Sequence, residues 1–125
     1  MESLLGDGAY STVYRVRRLS DNKIYSLKKV KIQKLSEKEK ANSLNEVRIL
    51  ASVKHPNVIA YKEAFFDPKS HALCLILEYA DDGDLFQKIT RTVKRREFME
   101  EIEVWKIFIQ IVRGLKELHD LNIMH

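Results

Sequence analysis

Cysteine is nearly missing from this chain: Cys74 is the single one among 125 residues. One thiol permits neither an internal disulfide nor a zinc site built from cysteines. Its setting in the apolar run Ala72 to Leu77 suits a small buried hydrophobe better than a redox group. Long apolar runs are missing too. No stretch approaches the roughly 18 apolar residues of a membrane span, and no positively charged segment followed by an apolar signal core opens the chain. A strong excess of one charge is likewise absent, with 22 Lys and Arg against 18 Asp and Glu, a formal +4. The surplus sits mainly in Lys28 to Lys40 and Arg91 to Arg96, each close to acidic residues, which reads as a solvated surface, with a partner-docking patch as the alternative. No aromatic residues interleave with those cations, so neither nucleic acid nor membrane is an expected partner. The expected setting is intracellular and soluble: cytoplasmic, with nuclear or cytoskeletal association left open.

What is present suffices for a core. Hydrophobic residues make up 45% and charged residues 32%, a balance typical of ordered chains. Leu4 and Leu5 lead into Gly6-Asp7-Gly8, after which Tyr10, Thr12, Tyr14 and Val16 alternate with Ala9, Ser11, Val13 and Arg15, as in a strand following a turn. Asp21-Asn22 turns the chain into the next strand, Ile24 to Val30, the third counting the short one at Leu4 and Leu5. Ser36-Glu37-Lys38-Glu39 is a capping box and predicts a helix to about Ser52, with Leu44, Val47, Leu50 and Ala51 inward; His55-Pro56 closes it. Val58 to Phe66 and Leu73 to Leu77 predict two further strands around the turn Asp67 to Ser70. After the polar joint Asp81 to Asp84, a short helix is expected over Leu85 to Val93. A longer one over Glu101 to Leu121 carries a stripe at Ile102, Trp105, Phe108, Ile109, Val112, Leu115 and Leu118. The fold class is α+β: a five-stranded antiparallel sheet with one main helix over residues 1–80, then helices over 81–125.

Several residues carry candidate chemistry. Gly6-x-Gly8 between strands can bring backbone amides to an anion, although a plain hairpin turn explains the pair equally well. A dinucleotide loop would need the glycines to open a helix, and the Gly-Lys-Ser/Thr of a Walker loop is absent. In the strand Ile24 to Val30, period two places Lys28 on one face with Ser26 and Ile24, and Lys29 on the other. Glu46, in the helix, can turn inward to pair with Lys28 or outward to Arg48 or Lys40; buried alone it would be costly. Leu5, Val13 and Ser26 can roof a flat base whose edge meets the backbone of Glu78-Tyr79-Ala80, with Leu77 limiting the rear. Asp84 can meet ribose hydroxyls or cap the next helix.

The ordered set Gly6 to Val13, Ser26-Leu27-Lys28, Leu44 to Val47, His55-Pro56-Asn57, Leu77 to Leu85 and His119 to His125 resembles a eukaryotic protein kinase, most closely the NIMA-related serine/threonine kinases. The resemblance spans essentially the whole chain. It implies a kinase amino-terminal lobe and the start of a helical carboxy-terminal lobe. Lys28 would be the ATP-contacting lysine and Glu46 its supporting partner, with Gly6, Gly8 and Val13 in the nucleotide-covering loop and Tyr10 at its tip. Leu77 would be the gatekeeper, Glu78 to Ala80 the hinge, and Leu50 and His125 members of a packed spine. Ser11 stands where the last loop glycine is usual, and Ser26 where alanine is common.

The resemblance also implies ATP as cofactor, Mg²⁺ for a complete domain, and a protein substrate. The catalytic-loop Asp, its metal-binding Asn and the Asp-Phe-Gly site lie in no part of these 125 residues, so the isolated chain is expected to be inactive. The alternative is a noncatalytic fragment that binds nucleotide, or docks a protein through Trp105, Phe108 or Ile109.

Overall fold

The computed structural model describes residues 3–9, 11–32 and 36–124, without the side chains of Glu37, Lys40, Glu46 and Leu50. Two compact units emerge, Met1–Tyr79 and Ala80–His125. The first is an antiparallel sheet of β1 (Ser3–Asp7), β2 (Ser11–Arg17), β3 (Ile24–Lys31), β4 (Tyr61–Asp67) and β5 (Ala72–Glu78), with α1 (Glu37–Ser52) inserted after β3. Strand order is β1-β2-β3-β5-β4. This is the α+β architecture expected from the sequence.

β5 enters between β3 and β4 and is hydrogen-bonded on both sides. Its sequence is also apolar on both faces: Ala72, Leu73, Cys74 and Leu75 are all buried. Leu73 and Leu75 pack with Val30 of β3, and Ile32, Val47, Tyr61, Ala64 and Leu77 close around them. Val47 brings α1 onto this face, while Val53, just past the helix, is buried as well.

Local chemistry sets the ends of α1. Ser36 Oγ accepts the Glu39 N–H at 3.4 Å, and Glu39 Oε2 accepts the Ser36 N–H at 2.7 Å, completing the capping box. After the helix, the Asn57 amide donates to His55 Nδ1 and the Val58 amide to the His55 carbonyl, both at 3.1 Å. That turn occupies the residues read as the start of a strand at Val58, so β4 begins only at Tyr61. The inward stripe of α1 is also narrower than its sequence indicates. Leu44 is 54% exposed and Ala51 is exposed, because contact with the sheet runs through Val47; Leu50's side chain lies outside the described residues.

On the other face, Lys29 Nζ meets Asp67 Oδ2 at 3.0 Å, bridging from β3 across β5 to the end of β4. Asp67 also accepts from the Ser70 hydroxyl and the Lys69 amide. The Ser70 hydrogen bond, followed by that from Lys29, holds its carboxyl at about 2. Cys74 lies opposite Lys29 in the ladder, and burial raises its thiol pKa.

The second unit holds α2 (Leu85–Lys94) and α3 (Glu101–Asp120). Gly83, at φ +74°, makes the turn into α2, a backbone conformation that L side chains rarely adopt. Lys88 on α2 pairs with Glu103 on α3. The expected α3 stripe is largely exposed at Ile102, Trp105, Phe108, Ile109 and Val112, whereas Glu103, Ile107, Leu115 and Leu118 are half-buried. The less exposed side of α3 is thus offset from most of the stripe that its periodicity marks as inward.

Two outcomes follow from this packing. Leu75 is 2% exposed, and Leu75→Ala is expected to lower stability by about 2–5 kcal/mol, read as a shift in urea midpoint; a loss under ~0.5 kcal/mol would contradict its placement. Asp67's folded pKa lies below its unfolded value, so its contribution is present above pH ~4 and fades as pH falls through about 2. Asp67→Asn should therefore be less stable than wild type at pH 6, with the gap closing toward pH 2; a gap independent of pH would count against the assignment.

Candidate functional site

The ladder between β2, β3 and β5 brings several of the sequence-predicted residues onto one face of the sheet. Val13 is opposite Lys28, and Lys28 is opposite Leu75; one pair along, Arg15 is opposite Ser26 and Ser26 opposite Leu77. Cross-strand partners share a face. Val13, Arg15, Ser26, Lys28, Leu75 and Leu77 therefore line one surface, the same one onto which α1 packs through Val47. Thr12, Lys29 and Cys74 form the equivalent row on the opposite surface. Adjacent lysines thus serve different ends: Lys29 bridges to Asp67, while Lys28 is half-buried on the α1 side.

The glycine hairpin continues this surface. Gly6 pairs with Val13, and a bulge between Leu4 and Gly6 carries Leu5, which is 45% exposed. A Cβ on Gly6 would meet nothing within 4 Å, so neighbouring protein atoms do not demand glycine there. At the turn, the Gly8 N–H donates to the Ser11 carbonyl at 2.8 Å. Thr12 Oγ1 donates to Asp7 Oδ1 at 2.9 Å and ties the two arms on the opposite face. Tyr10 lies outside the described residues.

At the far end of β5, Glu78 holds the approach to β4. Its amide donates to the Ala60 carbonyl at 2.8 Å, and its Oε2 accepts the Ala60 N–H at 3.0 Å. Its side chain and its amide are therefore both committed to structure, leaving any recognition at Glu78 to its carbonyl. Tyr79 carries a contact that the sequence alone did not reveal: the Arg15 guanidinium lies 5.4 Å from its ring centroid. Only the fold could disclose it, since 63 intervening residues separate the partners.

Ala80 and Asp84 belong to the second unit. Asp84 Oδ1 accepts the Gln87 amide at 2.7 Å and caps α2. The capping alternative is realised, and Asp84 also lines a depression of about 220 Å³ with Leu85, Lys88 and Ile107. The Glu46 side chain, Leu50's side chain and His125 lie outside the described residues, although the α1 backbone at Glu46 adjoins the Val47 contact. Among the described residues, no group of three or more His, Cys, Asp or Glu could hold a metal.

A sheet of this order, with its lysine on the helix-covered face beside a glycine hairpin, agrees with the comparisons to known proteins. The protein kinase domain family model matches residues 1–125. Serine/threonine-protein kinase Nek9 of Xenopus laevis is 40% identical over 122 residues, covering 98% of this chain and 12% of the relative. Human serine/threonine-protein kinase Nek2 is 34% identical over 115 residues, covering 92% and 26%. Mouse serine/threonine-protein kinase Nek1 is 33% identical over 121 residues, covering 97% and 10%. The chain spans well under a third of the length of these relatives. With the family pattern running through the whole strand and helix sequence, this chain belongs to the protein kinase family and is homologous to its NIMA-related members.

Proposed function

We propose that this chain supplies the ATP-gripping part of a protein serine/threonine kinase. The observation that carries this reading is the row Val13–Lys28–Leu75 on the α1-covered face, beside a glycine that packing does not require. Val13 and Ser26 would cover the base, Leu77 would bound its inner side, and main-chain groups of Glu78 and Tyr79 other than the Glu78 amide would meet its edge. Lys28 would draw the α- and β-phosphates toward β3, with Glu46 supporting it. The absence of a Cβ at Gly6 lets the hairpin backbone approach the phosphates closely.

In a complete domain, Mg²⁺ would offset phosphate charge during transfer to a Ser or Thr hydroxyl of a protein substrate. Phosphoryl transfer depends on in-line positioning and electrostatic stabilisation. The residues here contribute nucleotide orientation and one cation to that task. The base that accepts the hydroxyl proton and the metal-holding groups belong to segments other than residues 1–125, so this polypeptide by itself is expected to bind nucleotide without turnover.

Calorimetric titration tests the reading directly. Lys28→Ala removes a charge-assisted contact of about 1.5–3 kcal/mol, and is expected to weaken ATP roughly 10- to 100-fold while leaving adenosine nearly unchanged. Equal loss for both ligands would assign Lys28 a structural role. ATP-dependent phosphorylation by the purified 125-residue chain, abolished in Lys28→Ala, would refute the absence of turnover. A protein partner captured equally well by wild type and Lys28→Ala, without nucleotide binding, would favour docking instead.

A further inference from the structure

Arg15 has no part in the nucleotide reading above, yet it makes an unusual crossing. It sits on β2, while Tyr79 follows β5, and β3 runs between those strands. Adjacent strands lie about 4.8 Å apart, so the side chain must span roughly 10 Å to reach the line of β5, which Tyr79 continues. Arginine is long enough to approach that span. The residue beneath its path is also suitable: Arg15's partner on β3 is Ser26, whose short side chain leaves the surface low, and Ser26's partner on β5 is Leu77. Guanidinium and ring meet at 5.4 Å, within range of a cation–π contact.

Arg15 shares its face with Val13, two residues earlier on the same strand. Tyr79 adjoins Glu78, whose amide and carboxylate both engage Ala60. One end of the Arg15 contact therefore belongs to the strand whose Val13 would cover the base. The other belongs to a segment already fastened to the approach of β4. A tether between them fixes the distance between roof and edge, the dimension a planar base must match.

We infer that Arg15 is a positioning residue for the base of an adenine nucleotide: stacked on Tyr79, it holds β2 at working distance from the segment after β5. This rests on the nucleotide reading and deepens it, since Arg15 would act on the base rather than on phosphate. A charge effect predicts something different. If Arg15 merely attracted polyphosphate, its removal would weaken ATP and spare adenosine, whereas loss of a tether weakens both alike.

The experiment is calorimetric titration of the 125-residue chain and its Arg15→Ala, Arg15→Lys, Tyr79→Leu and Arg15→Ala/Tyr79→Leu variants with adenosine and with ATP. Melting temperatures are measured on the same samples. Arg15→Ala and Tyr79→Leu are each expected to weaken both ligands about two- to fivefold, the lower range of a cation–π contact, as suits partners that are only half-buried. The double variant should be no weaker than either single one, and Arg15→Lys should recover part of the loss because it keeps the cation. Loss confined to ATP, multiplied losses in the double variant, or no loss in Arg15→Ala would overturn the role of Arg15 while leaving nucleotide binding intact. Binding of neither ligand to the wild-type chain would overturn the nucleotide reading and this inference together. If Arg15→Ala fails to fold, the Arg15→Lys and Tyr79→Leu pair still decides: unchanged adenosine affinity in Tyr79→Leu refutes the tether.

Discussion

The pairing of β3 with β5 governs everything else in the first unit. Lys28 opposite Leu75 is one rung of that ladder, and Val30 opposite Leu73 is the next on the same face. The apolar rung anchors the charged one: Val30, Leu73 and Leu75 form the buried cluster and fix the register. A slip by one residue would turn Lys29 toward α1 and Lys28 toward Asp67. It would also expose the cluster, so the core's packing energy and the orientation of the candidate lysine are the same constraint.

Much of this was legible because it is local. The capping box at Ser36 needs only four residues, and alternation along β3 needs only the strand itself. The division between Lys28 and Lys29 followed from that alternation before any partner was known. Features that depend on distant segments were not legible. The Arg15–Tyr79 contact requires β3 to be flat at Ser26 and β5 to end beside it, neither of which has a local signature. The late start of β4 came from a histidine ring accepting a main-chain hydrogen bond, a use of His55 that helix-ending rules do not foresee. At Leu44 and along α3, apolar spacing identified a face without identifying its cover.

Charge is deployed in the same local fashion. Arg18 pairs with Asp21 in the β2–β3 turn, and the Arg18 hydrogen bond is the foremost reason that the Asp21 carboxyl lies well below the ordinary carboxylate range. Lys116 pairs with Asp120 one helical turn on. Such exposed pairs contribute little to global stability, but they order a turn and a helix end. Lys29 and Asp67 differ in reach, joining strands that are not neighbours and stiffening the sheet behind the candidate site. Lys28 and Lys29 therefore divide labour within one strand: one cation braces the scaffold from behind, and its neighbour faces the surface where a ligand would lie.

The buried thiol on that rear surface offers a native stopwatch. Cys74 is 1% exposed, and burial disfavours its thiolate, so alkylating reagents have little access to it while β5 remains seated. Modification must wait until the strand lifts away. Because the chain has no second cysteine, the rate of single-site labelling measures how often the middle of the sheet opens, with no engineered probe disturbing it.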